Sequence, residues 1–325
     1  MLPPMAIFFP LFTLLEDLGY LPRIAFNLDK IYKKCSACGK QALTMCMGFG
    51  CNAAGIISCR IIDSPRERLI AVITNNFVPC NGRFPILISI ISMFFLGGAV
   101  GFGNSILSAL LLTCVIVLGI VMTFIVSKLL SMTILKGVPS SFTLELPPYR
   151  KPQIGQVIIR SIFDRTLFVL GRAVVVAAPA GLVIWLLAYI TVGDTALLYH
   201  CSGFLDPFAR VFGMDGVILL AFILALPANE IVIPIIIMTY MAQGNILEID
   251  DLSSLRQLLV DNGWTWITAM SVILFSLMHW PCSTTCLTIK KETGSIKWTA
   301  ISFIVPTIAG FLVCFVFANL ARFTL

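Results

Sequence analysis

The sequence predicts an all-α polytopic membrane protein, an inverted repeat of two halves that each hold transmembrane helices and a broken hairpin. Three observations carry that reading: the composition, the run of apolar segments, and a matching order of interruptions in the two halves. Of 325 residues, 58% are hydrophobic and 12% charged, and the mean hydropathy is +0.98. Soluble domains carry about 25% charged residues, so composition alone argues for a bilayer environment. The stretch Asn104 to Ser127, "NSILSALLLTCVIVLGIVMTFIVS", has no charged residue, and roughly 20 apolar residues cross a hydrocarbon core.

Apolar segments fall near 5–26, 42–62, 69–96, 104–127, 168–192, 216–242, 266–289 and 298–320. Lys and Arg crowd some connections and avoid others. Lys30, Lys33, Lys34 and Lys40 precede the second segment, and Arg60, Arg66 and Arg68 follow it. The connection 128–167 is basic, and Lys290, Lys291 and Lys297 follow the seventh segment. The connections 193–215 and 243–265 hold only Arg210 and Arg256. The basic connections are therefore expected on the cytoplasmic side and the base-poor ones outside. The net charge of +6 is then a topology signal, and no nucleic-acid partner is expected.

Segment 42–62 has basic connections at both ends, and segment 216–242 has base-poor connections at both. Each is expected to enter the membrane and return. Each also carries a break at its middle, "GFGCNAAG" at 48–55 and "LPANEIVIP" at 226–234. The order span, broken hairpin, Pro-Cys span, plain span thus reads twice with opposite orientation, as in transporters built from inverted repeats. The predicted divisions are a first membrane repeat at 1–127, a cytoplasmic linker at 128–167 and a second repeat at 168–325. "IGQVIIRSIFDRTLFVLGR" in the linker is expected to lie as an amphipathic helix on the interface.

The Pro-Cys spans hold "FVPCNGRFP" from Phe77 and "HWPCSTTCL" from His279. A proline inside a helix frees the carbonyl four residues earlier. Pro79, Pro281 and Pro234 are thus expected to leave the carbonyls of Asn75, Leu277 and Glu230 as cation ligands. Cys51, Cys80 and Cys282 offer sulfur, which favours Fe, Zn or Cu(I) over Mg or Ca. Asn52 and Asn229 offer amide oxygen at the hairpin breaks. An intramembrane carboxylate is costly and points to function, which selects Glu230, with Glu16 and Asp17 nearer a span end. These eight are the candidate metal-pathway residues. His279 and Cys286 flank the second Pro-Cys and are weaker candidates. Cys59, Cys114, Cys201 and Cys314 read as small packed hydrophobes. Cys35 and Cys38 have zinc-knuckle spacing, but a structural zinc site needs four ligands and the sequence has no second CxxC.

The 11 cysteines are scattered, several inside spans, which argues against a disulfide framework. "MLPPMAIFFPLFTLLED" lacks the basic start of a secretory signal. No phosphate-binding GxxxxGK[ST], HExxH, nucleophile elbow or Rossmann turn occurs, so no enzyme activity is expected.

Together "LLEDLGYLPRIAFNLDK", "MGFGCNAAGIISCR", "PRERL", "NNFVPCNGRFP", "LPANEIVIP" and "HWPCSTTCLTIKKETGSIKW" resemble the membrane portion of the bacterial ferrous-iron transport protein B (FeoB) family. The broken hairpins are similar to that family's paired Gate, or nucleoside-recognition, regions. The resemblance implies import of Fe2+ across the bacterial inner membrane, with Fe2+ as substrate and no tightly bound cofactor. It also implies a cytosolic GTPase domain as partner, which in the family precedes the membrane part and is not in this sequence. Met1 falls near what resembles the family's second membrane segment. The family's first Gate motif matches Gly50, Cys51 and Asn52, but Ala54 stands where the family has proline. Its second cysteine matches Cys80, its later one Cys282, and its Lys-Glu pair stands here as Asn229 and Glu230. A homo-oligomer is compatible with this reading. The alternatives are a Gate transporter of another solute such as a nucleoside, and a non-transporting membrane subunit of a larger complex.

Overall fold

The computed structural model describes residues 7, 10–12, 14–15, 18–96, 102–137, 155, 168–192, 195–241 and 252–324. Glu16, Asp17 and linker residues 138–154 and 156–167, where the expected amphipathic helix falls, lie outside the described residues. Apart from a two-residue antiparallel ribbon, Thr191–Val192 with Thr195–Ala196, the described regular structure is helical, as an all-α membrane protein requires.

The chain forms two compact units, each assembled from three pieces: Met1–Asn81, Leu118–Val174 and Thr284–Pro306 in one, Gly82–Val117, Val175–Ser283 and Thr307–Leu325 in the other. Two of the passages between them fall just after a Pro-Cys pair, at 81/82 and at 283/284.

In the first unit, α1 (Tyr20–Lys34) begins after Gly19, whose φ of 74° interrupts the apolar run 5–26. It is followed by α2 (Lys40–Gly50) and α3 (Asn52–Ser58). The expected break between them falls at Cys51, whose φ of −157° and ψ of 125° are extended. Next comes α4 (Pro65–Thr74), with a sequence-encoded start. Ser64 accepts from the Glu67 N–H, Pro65 stands at the first helical position and Glu67 at the third, the capping-box order with its favoured proline. The helix then tightens into a 3₁₀ turn over Asn75–Phe77. Phe12, Leu21, Ala25, Leu43, Met47 and Ala54 form one apolar cluster around α1–α3. Tyr32, Ala42, Met45 and Val78 form another, where Tyr32 meets Phe124 edge-on at 4.9 Å.

In the second unit, α5 (Phe84–Ile90) continues as a π-helical turn, Ile91–Phe95. The long apolar α6 (Phe102–Met132) matches the expected plain span 104–127, and α7 (Phe168–Tyr189) the span 168–192 that opens the second half; each passes from one unit to the other, at 117/118 and at 174/175. Two helices in the connections were not predicted, α8 (Leu197–Val211) and, further on, α11 (Leu252–Asp261). The second hairpin is α9 (Gly216–Leu224), a 3₁₀ turn over Asn229–Ile231, and α10 (Val232–Tyr240). Asp215 caps α9 by accepting from Ile218 N–H at 2.7 Å. Its other oxygen accepts from Tyr240, which in turn accepts from Trp264 Nε1 at 2.8 Å. The second Pro-Cys span is α12 (Trp266–Met278), in this unit, and α13 (Ser283–Thr293), nearly all in the first unit, with the interruption at 279–282; α14 (Ile296–Phe323) starts in the first unit and ends in the second.

By length and composition α6, α14 and the interrupted stretch Trp266–Thr293 suffice to cross a membrane. Their burial differs in a telling way. The most apolar windows of α6 and α14 are 17% and 22% buried in protein, that of Trp266–Thr293 78%. Irregular backbone survives at membrane depth only inside protein or beside a cavity, and the interrupted span is the buried one.

Candidate functional site

Each hairpin break has the same local form. An extended residue, Cys51 in the first and Ala228 (φ −152°, ψ 115°) in the second, is followed by an asparagine that starts the next helical turn. Asn52 and Asn229 are both buried, so their amides must find partners inside the protein.

In the first unit those partners come from the turn ahead of Pro79. Asn52 Nδ2 donates to Asn76 Oδ1 at 3.4 Å, and Asn75 Nδ2 donates to the Asn52 carbonyl at 3.3 Å. Asn75 reaches this place because two glycines let it in. A Cβ at Gly55 would lie 2.6 Å from Asn75 Nδ2, and one at Gly48 would lie 3.1 Å from Asn75 Oδ1 and 3.5 Å from Asn52 Oδ1. The glycines of "MGFGCNAAG" thus make room for a polar side chain. Asn52 Oδ1 and Asn75 Oδ1 are buried, and no donor among the described residues reaches either. Buried polar atoms are nearly always paired, and a pair of amide oxygens beside the same glycine is chemistry a cation satisfies. Cys51 is half-buried against the Leu43–Met47 cluster, and Cys80 is buried.

In the second unit, Asn229 Oδ1 lies 3.3 Å from His279 Nε2. Glu230 is half-buried, and Cys282 is half-buried. The break at Pro281 also engages Arg83, which sequence reading did not single out. Arg83 is 0% exposed and donates to the carbonyls of Leu277 at 2.8 Å, His279 at 3.3 Å and Trp280 at 3.4 Å. Its signal in the sequence was a lone arginine within the apolar segment 69–96, where an ionisable residue marks function.

This corrects the expectation of bare carbonyls. Leu277, freed by Pro281, is taken by the Arg83 guanidinium. Asn75, freed by Pro79, accepts from Val78 N–H at 3.2 Å because the helix end tightens to 3₁₀. Pro234 falls in the first turn of α10, where a missing N–H breaks no helical bond. Desolvated carbonyls cost too much to leave open, so the chain satisfies those of Asn75 and Leu277 itself, and side chains become the candidate ligands.

Among the described residues no three His, Cys, Asp or Glu side chains group as metal ligands. Of the expected candidates, the structure pairs Asn52 with Asn75 and Asn76, and Asn229 with His279. Cys59 and Cys314 are buried as packed hydrophobes, whereas Cys114 is exposed. Cys38 packs with Ile56, Cys59 and Ile62, and burial pushes its thiol up to about 12; a thiol that stays protonated is a poor metal ligand.

Paired broken hairpins with buried amides, set among long apolar helices, define a polytopic membrane protein of the Gate type. The sequence model for the Gate family, described as nucleoside recognition, matches residues 1–94 and 170–296, and the chain belongs to that family. The description "Ferrous iron transport protein B C terminus" matches residues 112–164. The particular likeness is to the membrane portion of FeoB. The chain is 30% identical over 332 residues to the Fe(2+) transporter FeoB of Staphylococcus aureus strain MSSA476, covering 98% of this chain and 46% of that protein. It is 26% identical to the FeoB of Campylobacter jejuni, covering 100% and 53%. For that of Methanocaldococcus jannaschii it is 26%, covering 97% and 46%. The chain thus spans about half the length of the curated relatives it matches. No solved structure gave a significant match.

Proposed function

We propose that this chain is the ion-conducting membrane part of an Fe2+ importer, working with a GTPase domain in a bacterial inner membrane. The observation that carries the reading is the first break, where Asn52 and Asn75 hold two buried amide oxygens that no donor among the described residues reaches. Such oxygens bind a partly dehydrated divalent ion weakly enough to release it, which conduction requires. Cys51, Cys80 and Cys282 then add sulfur, and Glu230 adds negative charge, as successive ligands rather than one cage. Thiolates closing together on one ion would hold it too tightly. In this reading 1–127 and 168–325 are inverted repeats joined by 128–167. Support comes from the shared extended-residue and asparagine pattern at the two breaks. Glu16 and Asp17 belong to the proposed path by their sequence position alone.

The test is anaerobic uptake of radiolabelled ferrous iron into proteoliposomes holding the full chain, with a family GTPase domain added. Replacing both Asn52 and Asn75 by leucine removes one ligand oxygen each and lowers the uptake rate at least about tenfold, at about 1.5 kcal/mol per lost interaction. Cys51→Ser and Cys80→Ser each lower it less. Uptake indifferent to all of these changes sinks the reading, as does a nucleoside that competes where Fe2+ does not.

A further inference from the structure

We propose that α8 is an interfacial helix, lying in the plane of the membrane surface with Phe204, Phe208 and Val211 set into lipid. The proposal concerns a lipid-binding face and stands apart from the reading of the chain as a cation path.

At 3.6 residues per turn, the side chains of α8 divide into three sectors. Leu198, Ser202 and Ala209 are buried against the protein. Phe204, 84% exposed, shares a second sector with the exposed Phe208 and Val211. The third holds the exposed Tyr199 and the ion pair of Arg210 Nε with Asp206 Oδ2 at 2.6 Å. A helix between protein and water needs only the first and third; one at a membrane interface needs all three. The helix axes agree with that placement. α8 and α9 meet at a bend of 109°, so an α9 that enters the membrane along its normal leaves α8 close to the surface plane. The joint is tight. A Cβ at Gly216 would lie 1.9 Å from the Ser202 carbonyl oxygen, and Gly216 N–H donates to Asp206 Oδ1 at 3.1 Å. The depth of α8 follows from α14, whose last turn donates from Arg322 Nη2 to the Arg210 carbonyl at 2.6 Å. α8 thus ends beside the end of a helix long and apolar enough to cross a membrane. Continuity with that helix identifies lipid as the occupant. Phe208 meets Phe311 of α14 edge-on at 5.6 Å, and Phe315, one turn further, is exposed. One apolar surface therefore runs from α14 onto α8. The connection that holds α8 is base-poor, which by the charge rule sets this interface on the outer side.

The test places a benzophenone amino acid at Phe204 or at Gly203 in the full chain, reconstituted in phospholipid nanodiscs. Gly203 belongs to the polar sector, and a Cβ there meets nothing within 4 Å, so it serves as the water-side control. After illumination, mass spectrometry is expected to find acyl-chain adducts at Phe204 and few at Gly203. Equal yields at the two positions, or none at Phe204, overturn the proposal. Adducts that join two copies of the chain overturn it in favour of a protein partner. Hydrogen exchange gives a second measurement without a probe. Phe204 has almost no protein packing to lose, so Phe204→Ser leaves the exchange of α8 amides unchanged where the ring faces water. Where the ring is seated in lipid, its loss speeds that exchange about tenfold, the equivalent of about 1.4 kcal/mol. Unchanged exchange in nanodiscs overturns the proposal, and the tenfold rise supports it.

Discussion

The two Pro-Cys breaks solve one problem by different means. At Pro79 the chain heals locally: the end of α4 winds into a 3₁₀ turn, and Asn75 keeps its carbonyl bonded through Val78. At Pro281 it heals with a side chain from elsewhere in the sequence, because Arg83 donates to three carbonyls. The hairpin asparagines diverge accordingly. Asn52 sits in an uncharged nest of amides with oxygens to spare, whereas Asn229 faces an imidazole in a break that holds a fixed positive charge. The same backbone pattern thus sets a buried asparagine among other amides in one unit, and beside an imidazole and a guanidinium in the other. Proline placement sets where a break occurs, and the neighbouring side chains set what it can bind.

The largest expected effect tests the guanidinium. Arg83→Met leaves three buried carbonyls without their donor and should destabilise the protein by about 3 kcal/mol, given the worth of charged hydrogen bonds. Arg83→Lys, a single point of charge, should recover only part of that. Unfolding in a detergent titration reads both. A silent Arg83→Met would erase the contrast between the breaks.

A smaller effect belongs to the first break. Gly55→Ala places a Cβ 2.6 Å from Asn75 Nδ2. The amide is the end of a side chain and can turn away, so stability should fall by only about 1 kcal/mol. Iron uptake should fall further than stability does. Uptake that merely tracks stability would mean the Asn75 oxygen has no role in passage.

The smallest effect calibrates the other two on an exposed ion pair beside the first hairpin. Lys40 Nζ lies 2.6 Å from Asp63 Oδ2, and the aspartate side chain is 88% exposed. The Lys40 hydrogen bond and charge hold the Asp63 carboxyl below its ordinary range. Its contribution is therefore present above the unfolded carboxylate value of about 3.9 and fades as pH falls through the lower folded value. Asp63→Asn should cost under about 0.5 kcal/mol at neutral pH and nothing in strong acid. A larger loss at neutral pH would mean that this end of the hairpin is held by charge.

Much of this was legible in the residues. Hydropathy marked the long apolar α6, α7 and α14, and Gly and Pro marked all four breaks within a few positions. Both signals are local, since a helix needs apolar length to cross lipid and stops where its N–H or its side-chain support is missing. Asn52 and Asn229 were selected as candidates because a polar residue at such a break must find a partner inside the protein. The helices α8 and α11 were missed because amphipathic sequence in a connection looks like loop when its packing partner is unknown. Arg83 was missed for a related reason: a lone basic residue in an apolar segment says that it must be satisfied, not by which carbonyls.

By itself, the sequence determined that this chain is a helical membrane protein with two interrupted hairpins and two interrupted spans, because bilayer solvation and proline geometry act residue by residue. Tertiary structure alone decided which groups stay available at each interruption. Satisfying a buried polar atom depends on what the fold brings within about 3 Å, and neither Asn75 beside Gly48 and Gly55 nor Arg83 beside Leu277 is a neighbour in sequence.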